Sequence, residues 1–206
     1  MAVVVSKNNL VQDWLIKVRD KNSDSVTFGN NLKKITLALA TEAHSEFPME
    51  DTTVESPFVS CPAKKISKPI TVIPVLRSGL AMSDALQTFF EDCQTVHVGI
   101  YRDTNLNAVS YYEKFPEGIE NSKVILCDPL IATAVTLTKS LDIIAKYNCK
   151  DITVLGIIIS KHAVELLTQK YPHVNIYVAA MDEELNSKGY IIPGAGDAGD
   201  RLYRTK

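Results

Sequence analysis

The chain has no long apolar run. Met1 to Val5 is apolar but is followed at once by Ser6-Lys7-Asn8-Asn9, a stretch too short for a signal peptide or a membrane span. A cytoplasmic setting is the default expectation. There is no basic surplus either: 22 Lys and Arg stand against 24 Asp and Glu, a formal net charge of -2. A protein that holds long nucleic acid usually carries excess positive charge, so a nucleic-acid partner is not expected. Short metal-ligand spacings are missing as well. The four cysteines (Cys61, Cys93, Cys127, Cys149) and the four histidines (His44, His97, His162, His173) are scattered, which disfavours a zinc site or a disulfide frame. No Pro/Gly/Ser-rich linker divides the chain, so one domain over 1–206 is expected. With 46% hydrophobic and 22% charged residues, the composition is globular.

What is present is a regular alternation. Residues 10 to 19 put Leu10, Trp14, Leu15 and Val18 on one helical stripe, and a second helix over about 30 to 45 turns Leu32, Ile35, Leu39 and Ala43 inward. These form an N-terminal helical unit over 8–45. Lys21 to Ser25 reads as a polar turn, and Pro48 and Ser56-Pro57 break regular structure. From Ile70 the period changes. Strands are predicted at 70–75, 96–101, 124–127, 152–159 and 174–179, and helices at about 80–91, 136–147 and 161–170. The run at 152–159 is almost wholly apolar, as a central parallel strand covered on both faces would be. The fold class that follows is α/β, an open and mostly parallel sheet flanked by helices. Residues 103–115 break this rhythm. They read as a projecting β-arm that covers a site or meets a second subunit, or as a plain loop excursion.

Ligands of open parallel sheets bind beyond the carboxyl ends of the strands. Arg77, Arg102 and Asp128 each follow a predicted strand, so together they suggest one crevice for an anionic ligand. Asp128-Pro129-Leu130-Ile131-Ala132-Thr133-Ala134-Val135-Thr136 joins a buried strand to a helix, whose free N-terminal amides suit a phosphate. The plainer alternative is that Thr133 simply caps that helix. The tail, Gly189-Tyr190-Ile191-Ile192-Pro193-Gly194-Ala195-Gly196-Asp197-Ala198-Gly199-Asp200, has the backbone freedom to press main-chain groups against a small planar ligand.

Three of these stretches, together with Val72-Ile73-Pro74-Val75-Leu76-Arg77-Ser78-Gly79-Leu80, carry a resemblance. The chain closely resembles the uracil phosphoribosyltransferases, a type I phosphoribosyltransferase family, through that segment, Tyr101-Arg102, Asp128 to Thr133 and the tail. The resemblance implies a phosphoribosyltransferase-like fold with a C-terminal uracil-binding segment over 180–206. It also implies transfer of ribose 5-phosphate from phosphoribosyl pyrophosphate to uracil, giving UMP and pyrophosphate in pyrimidine salvage. By the same resemblance Arg77 and Arg102 would hold the pyrophosphate, and Asp128 the ribose hydroxyls. Ala132, Thr133, Ala134, Val135 and Thr136 would cradle the 5-phosphate. Ile191, Gly196 and Ala198 would surround uracil, with Asp197 beside the donor organising Mg²⁺ or its waters. A homodimer or homotetramer, and GTP as a candidate effector, come with the family.

The chain departs from the family pattern where phosphate would bind. Family loops usually read Ala-Thr-Gly-Gly, and here Ala134 and Val135 replace both glycines. Phe28-Gly29-Asn30-Asn31-Leu32 lacks the basic residues common in relatives, Glu184 replaces a usual glycine, and so does Arg204. These changes leave open an alternative, a catalytically degenerate homologue that binds a nucleotide as a regulatory or scaffold protein.

Overall fold

The computed structural model describes residues 2–102 and 108–205, with backbone alone for residues 101, 102 and 108–110. Val3–Val5 forms β1, an edge strand where the sequence suggested only an apolar stub. Helix α1 spans Asn9–Arg19, with the Asn8 side chain accepting from the Leu10 amide. Val11, Leu15 and Val18 are its buried residues, while Leu10 is 59% exposed. Leu15 and Val18 are buried and Trp14 packs against the same core, as predicted; Val11 takes the place expected of Leu10, so the seam is narrower at that edge. Helix α2 covers Ser25–Glu42 and starts earlier than predicted, because the Asp24 carboxylate caps it by accepting from the Thr27 amide. Leu32, Ile35 and Leu39 are fully buried, and Ala43 nearly so, as expected.

Strands β2 (Met49–Glu55) and β3 (Ser60–Ile66) form an antiparallel hairpin that the sequence reading missed. Most of its side chains are exposed, with only Thr52, Cys61, Ala63 and Ile66 half-buried, so no sustained alternation of polarity marks it. There follow β4 (Ile70–Pro74), α3 (Leu80–Phe89), β5 (Gln94–Thr95), β6 (Val98–Arg102) and β7 (Ala108–Glu113). The predicted strand at 96–101 is thus divided. Its start touches the sheet through a Val75–Val98 bridge, and the rest pairs antiparallel with β7 as an arm. Residues 103–107 of the predicted arm lie outside the described residues.

Next come β8 (Lys123–Cys127), β9 (Leu130–Ile131), α4 (Val135–Lys146), β10 (Ile152–Leu155), β11 (Ile158–Ser160), α5 (Lys161–Lys170), β12 (Asn175–Val178) and β13 (Ala180–Asp182). The chain ends with β14 (Glu184–Leu185), β15 (Ile191–Ile192) and α6 (Ala198–Tyr203). The main sheet has the order β1-β12-β10-β8-β4-β5, and all its pairs are parallel. Helices α1, α2 and α3 bury one face of it through Val11, Leu32, Ile35 and Met82. Helices α4 and α5 bury the other through Leu137, Leu141, Ala163 and Leu167. Both faces being covered explains why β4, β8 and β10 are buried along their whole length.

The run at 152–159 is not one strand. It breaks at Gly156, and β8, β10 and β12 each pass into a member of a small parallel sheet, β13-β11-β9, beyond the carboxyl ends. A Cβ on Gly156 would lie 2.8 Å from Ile131 Cδ1 and 3.1 Å from the Asp128 carbonyl. The break is thus a place where neighbouring chains approach too closely for a side chain. At the opposite end of the sheet the fully buried Lys123 donates from Nζ to Asp151 at 2.7 Å, and Lys68 reaches the other Asp151 oxygen at 2.8 Å. Burial pushes the Asp151 carboxyl up, but the hydrogen bonds and charges of Lys123 and Lys68 outweigh it and hold the carboxyl below its ordinary value.

Candidate active site

The crevice lies beyond the carboxyl ends of β4 and β8. The loop after β4 folds back tightly, with the Val75 amide donating to the Cys127 carbonyl at 2.8 Å and the Gly79 amide to the Val75 carbonyl at 2.9 Å. A Cβ on Gly79 would stand 2.5 Å from the Cys127 carbonyl and 2.7 Å from backbone atoms of Val75. Only glycine fits there, and this close packing sets the loop beside Asp128. The Leu76–Arg77 peptide bond within the loop is cis. The Arg77 guanidinium extends over α6, 3.8 Å from an Asp200 carboxylate oxygen and 5.7 Å from the centre of the Tyr203 ring. The Tyr203 hydroxyl in turn donates to the Arg77 carbonyl at 3.1 Å.

Asp128 follows β8 and is nearly buried, its amide donating to the Leu155 carbonyl at 3.1 Å. The neighbouring Cys127 thiol is fully buried; burial first, and then the charge of Asp128, push its pKa far up, so it is no nucleophile. Ala134 stands at the N-cap of α4 with φ 57° and ψ 8°, the left-handed region, and no side chain caps this helix. Ala134, which offers no side-chain acceptor, therefore stands at the N-cap in place of Thr133. Val135 opens the helix with its side chain 37% exposed. The left-handed residue that a glycine would favour is Ala134; Val135 has ordinary helical backbone. Ser160, fully buried, braces this loop: its hydroxyl donates to the Ala132 carbonyl at 2.6 Å and accepts from the Ala163 amide at 3.0 Å.

The tail closes the crevice. Its short hairpin pairs Glu184 with Ile192 and Leu185 with Ile191, and the Asn186 side chain accepts from the Lys188 and Tyr190 amides at 2.9 and 3.0 Å. Gly194 has φ 57°, and a Cβ there would meet the Ile191 carbonyl at 2.1 Å. Its amide donates to Asp182 at 2.9 Å, and Asp182 is paired with Arg19 through both carboxylate oxygens, at 2.7 and 2.8 Å. Burial raises the Asp182 carboxyl, but the bonds from Arg19 and the Gly194 amide hold it below its usual value. Asp197 caps α6 by accepting from the Asp200 amide at 2.9 Å. Arg204, at another position where relatives would have glycine, ends α6 in the left-handed region with φ 55°.

These parts line a half-open cavity of about 380 Å³. Asp128, Ala132 and Thr136 form one wall of it. Ile191, Gly196, Asp197 and Ala198 also line it. Leu76 and Ser78, the neighbours of Arg77, contribute another part, while Arg77 itself, Thr133, Ala134 and Val135 are adjacent without lining it. Arg102 ends β6, and its side chain is outside what the structure describes. Sequence reasoning missed Lys188 and Tyr190, which also line the cavity, as well as Ser160, Arg19, Asp182 and Arg201, which hold its walls. Among the described residues no group of three or more His, Cys, Asp or Glu side chains is placed to hold a metal ion. Two acidic residues, Asp128 and Asp197, do line the cavity. That donor set cannot cage an ion alone, but it fits Mg²⁺ shared with the phosphates of a substrate, as Mg²⁺ is commonly bound.

The model of a family described as uracil phosphoribosyltransferase matches residues 5–205. The uracil phosphoribosyltransferase of Thermosipho melanesiensis is 41% identical over 208 residues, covering 100% of both chains. That of Mycoplasma genitalium is 40% identical and covers 96% of each chain. Among solved structures, the AQ2163 protein from Aquifex aeolicus superposes with a TM-score of 0.92 at 27% identity, covering 100% of this chain and 99% of that one. A purine phosphoribosyltransferase from Pyrococcus horikoshii, at 14% identity and a TM-score of 0.50 over 75% of this chain and 90% of that one, shares the fold.

Proposed function

The chain belongs to the uracil phosphoribosyltransferase family, and from this we infer that its crevice joins uracil to the ribose 5-phosphate of phosphoribosyl pyrophosphate, giving UMP and pyrophosphate in pyrimidine salvage. The observation that carries this reading for the site is the cavity itself. Residues assigned to the donor (Asp128, Ala132, Thr136, Asp197) and residues assigned to the base (Ile191, Gly196, Ala198) line one half-open crevice.

The chemistry asks little of the protein beyond placement and charge. As the bond from C1 of the ribose to pyrophosphate breaks, positive charge grows on the sugar and negative charge on the leaving group. Arg77 and Arg102 are the cations assigned to the leaving group. Asp128 accepts from the ribose hydroxyls, and the first turn of α4, whose N-cap Ala134 has no side-chain acceptor, receives the 5-phosphate with the Thr136 hydroxyl. The tail holds uracil so that N1 faces C1, which replaces a chance collision by a fixed approach. Mg²⁺, when bound with the donor near Asp128 and Asp197, supplies further charge stabilisation to the phosphates. The buried thiol of Cys127 takes no part, and no covalent intermediate is invoked.

Nothing favours the degenerate alternative. A loop closed to phosphate would need Val135 turned into the cradle, whereas its side chain is partly exposed and does not line the cavity. Purified protein given uracil, phosphoribosyl pyrophosphate and Mg²⁺ is expected to form UMP. Absence of UMP across pH, salt and added GTP overturns the reading, and a rate that responds to GTP supports an effector site.

A further inference from the structure

Two arginines hold consecutive carbonyls of the tail. Arg19, the last residue of α1, donates from Nη1 to the Gly194 carbonyl at 2.9 Å while its guanidinium is fixed on Asp182. Arg201 of α6 donates from Nη1 to the next carbonyl, that of Ala195, also at 2.9 Å. The same guanidinium donates to the carbonyls of Val18 and Asp20 and lies 4.1 Å from the centre of the Phe28 ring. Neither arginine lines the 380 Å³ cavity.

The orientation of these carbonyls determines what faces the ligand. The Ala195–Gly196 peptide bond is trans, and in a trans peptide the carbonyl and the N–H point in opposite directions. With the Ala195 carbonyl drawn to Arg201, the Gly196 N–H points the other way, and Gly196 is part of the cavity wall. Among the described residues this amide has no acceptor in the protein. The segment has glycines at 194 and 196, with φ of 57° and 76°, so its peptide planes have little intrinsic resistance to rotation. A rotated plane would present a carbonyl oxygen where the donor stands. The arginines oppose that rotation.

We propose that Arg201, supported by Arg19, is a positioning residue for base recognition: it fixes the Ala195–Gly196 peptide so that the Gly196 N–H stands in the cavity as donor to a carbonyl oxygen of the pyrimidine. This rests on the uracil reading above. The Arg201→Lys variant keeps the charge but lacks the planar fork that reaches the Val18, Asp20 and Ala195 carbonyls together. Loss of one hydrogen bond to the base corresponds to about a tenfold rise in KM for uracil. KM for phosphoribosyl pyrophosphate is expected to stay within about twofold, since no donor contact is altered. A readout that a merely structural role would not move is the preference for uracil over 2-thiouracil and 4-thiouracil, sulfur being a poor acceptor. The wild-type protein is expected to discriminate against one of the two thio bases, and Arg201→Lys to lose that discrimination.

A folded Arg201→Lys protein with unchanged uracil KM and unchanged thio preference overturns the proposal while leaving the enzyme assignment intact. A wild-type protein that makes no UMP removes the uracil reading and this inference together. If Arg201→Lys does not fold, amide exchange in the wild-type protein decides: UMP is expected to slow exchange at the Gly196 amide about tenfold, and unaltered exchange there refutes the proposal.

Discussion

Replacing Ala134 by glycine restores the residue that relatives would have and tests how a left-handed alanine is tolerated. At φ 57° the alanine Cβ crowds its own backbone, at a cost of about 1–2 kcal/mol that glycine removes. Two terms oppose that relief. Ala134 is 4% exposed and packs in the core beside α4, so its methyl contributes about 0.8 kcal/mol. Glycine also loosens the unfolded chain, which lowers stability by about 0.4–1 kcal/mol. The opposing sums nearly cancel, and Ala134→Gly is expected to change stability by less than about 1 kcal/mol in either direction. Ala134→Val has no such compensation. A branched side chain at that φ in a filled space should destabilise by about 3 kcal/mol. Urea titration of the variants reads both values through the midpoint, provided the slope is unchanged. A loss above about 1 kcal/mol for Ala134→Gly, the result expected where no strain is relieved, or a neutral Ala134→Val, would show that residue 134 does not hold this backbone in solution. Val135→Gly, which removes a partly exposed side chain, is expected to leave KM for phosphoribosyl pyrophosphate within about threefold.

Gly79→Ala places a Cβ 2.5 Å from the Cys127 carbonyl, so it should destabilise by about 2–3 kcal/mol and raise KM for phosphoribosyl pyrophosphate, read by calorimetry and steady-state kinetics. Ser160→Ala removes the brace on the Ala132 carbonyl and the cap of α5; a loss of about 1–2 kcal/mol, with KM for the donor rising more than KM for uracil, is the expected pattern. Asp151 and Asp182 both have folded pKa values below their unfolded ones, so their contributions are fully present above the unfolded carboxylate range and are lost as pH falls through the folded values. Unfolding measured from pH 7 downward should thus show an acid loss of stability whose slope is reduced in Asp151→Asn and Asp182→Asn; identical slopes in the wild-type protein and both variants would contradict this.

The parts of the fold that sequence alone made visible are those with a one-dimensional signal. Strands β4 and β8 are short apolar runs, and α5 begins at a Ser-Lys step and ends before Tyr171-Pro172, so its bounds were predicted as observed. Hairpin β2–β3 lacked any such signal because most of both strands is exposed and few of its residues reach the core. The split of β10 from β11 depends on how close Ile131 comes to Gly156, which a continuous apolar run conceals. Within the site, Asp128 and Thr136 were legible from their place between a buried strand and a helix, and Asp197 through the resemblance carried by the glycine-rich tail. Arg19 and Asp182 were not, since their pairing spans 163 positions and each reads alone as a surface charge. Arg201 was hidden for the same reason: its partners at Val18 and Asp20 are carbonyls, which leave no trace in the side-chain sequence.

The central claim is that one cavity unites a phosphoribosyl donor with uracil. It is tested most directly by kcat/KM for nucleotide formation from uracil, orotate and hypoxanthine, each with phosphoribosyl pyrophosphate and Mg²⁺. Uracil is expected to be preferred by at least about a hundredfold, because backbone donors built for one planar base are left unpaired by another. Equal use of hypoxanthine, or no nucleotide from any of the three bases, would contradict the account.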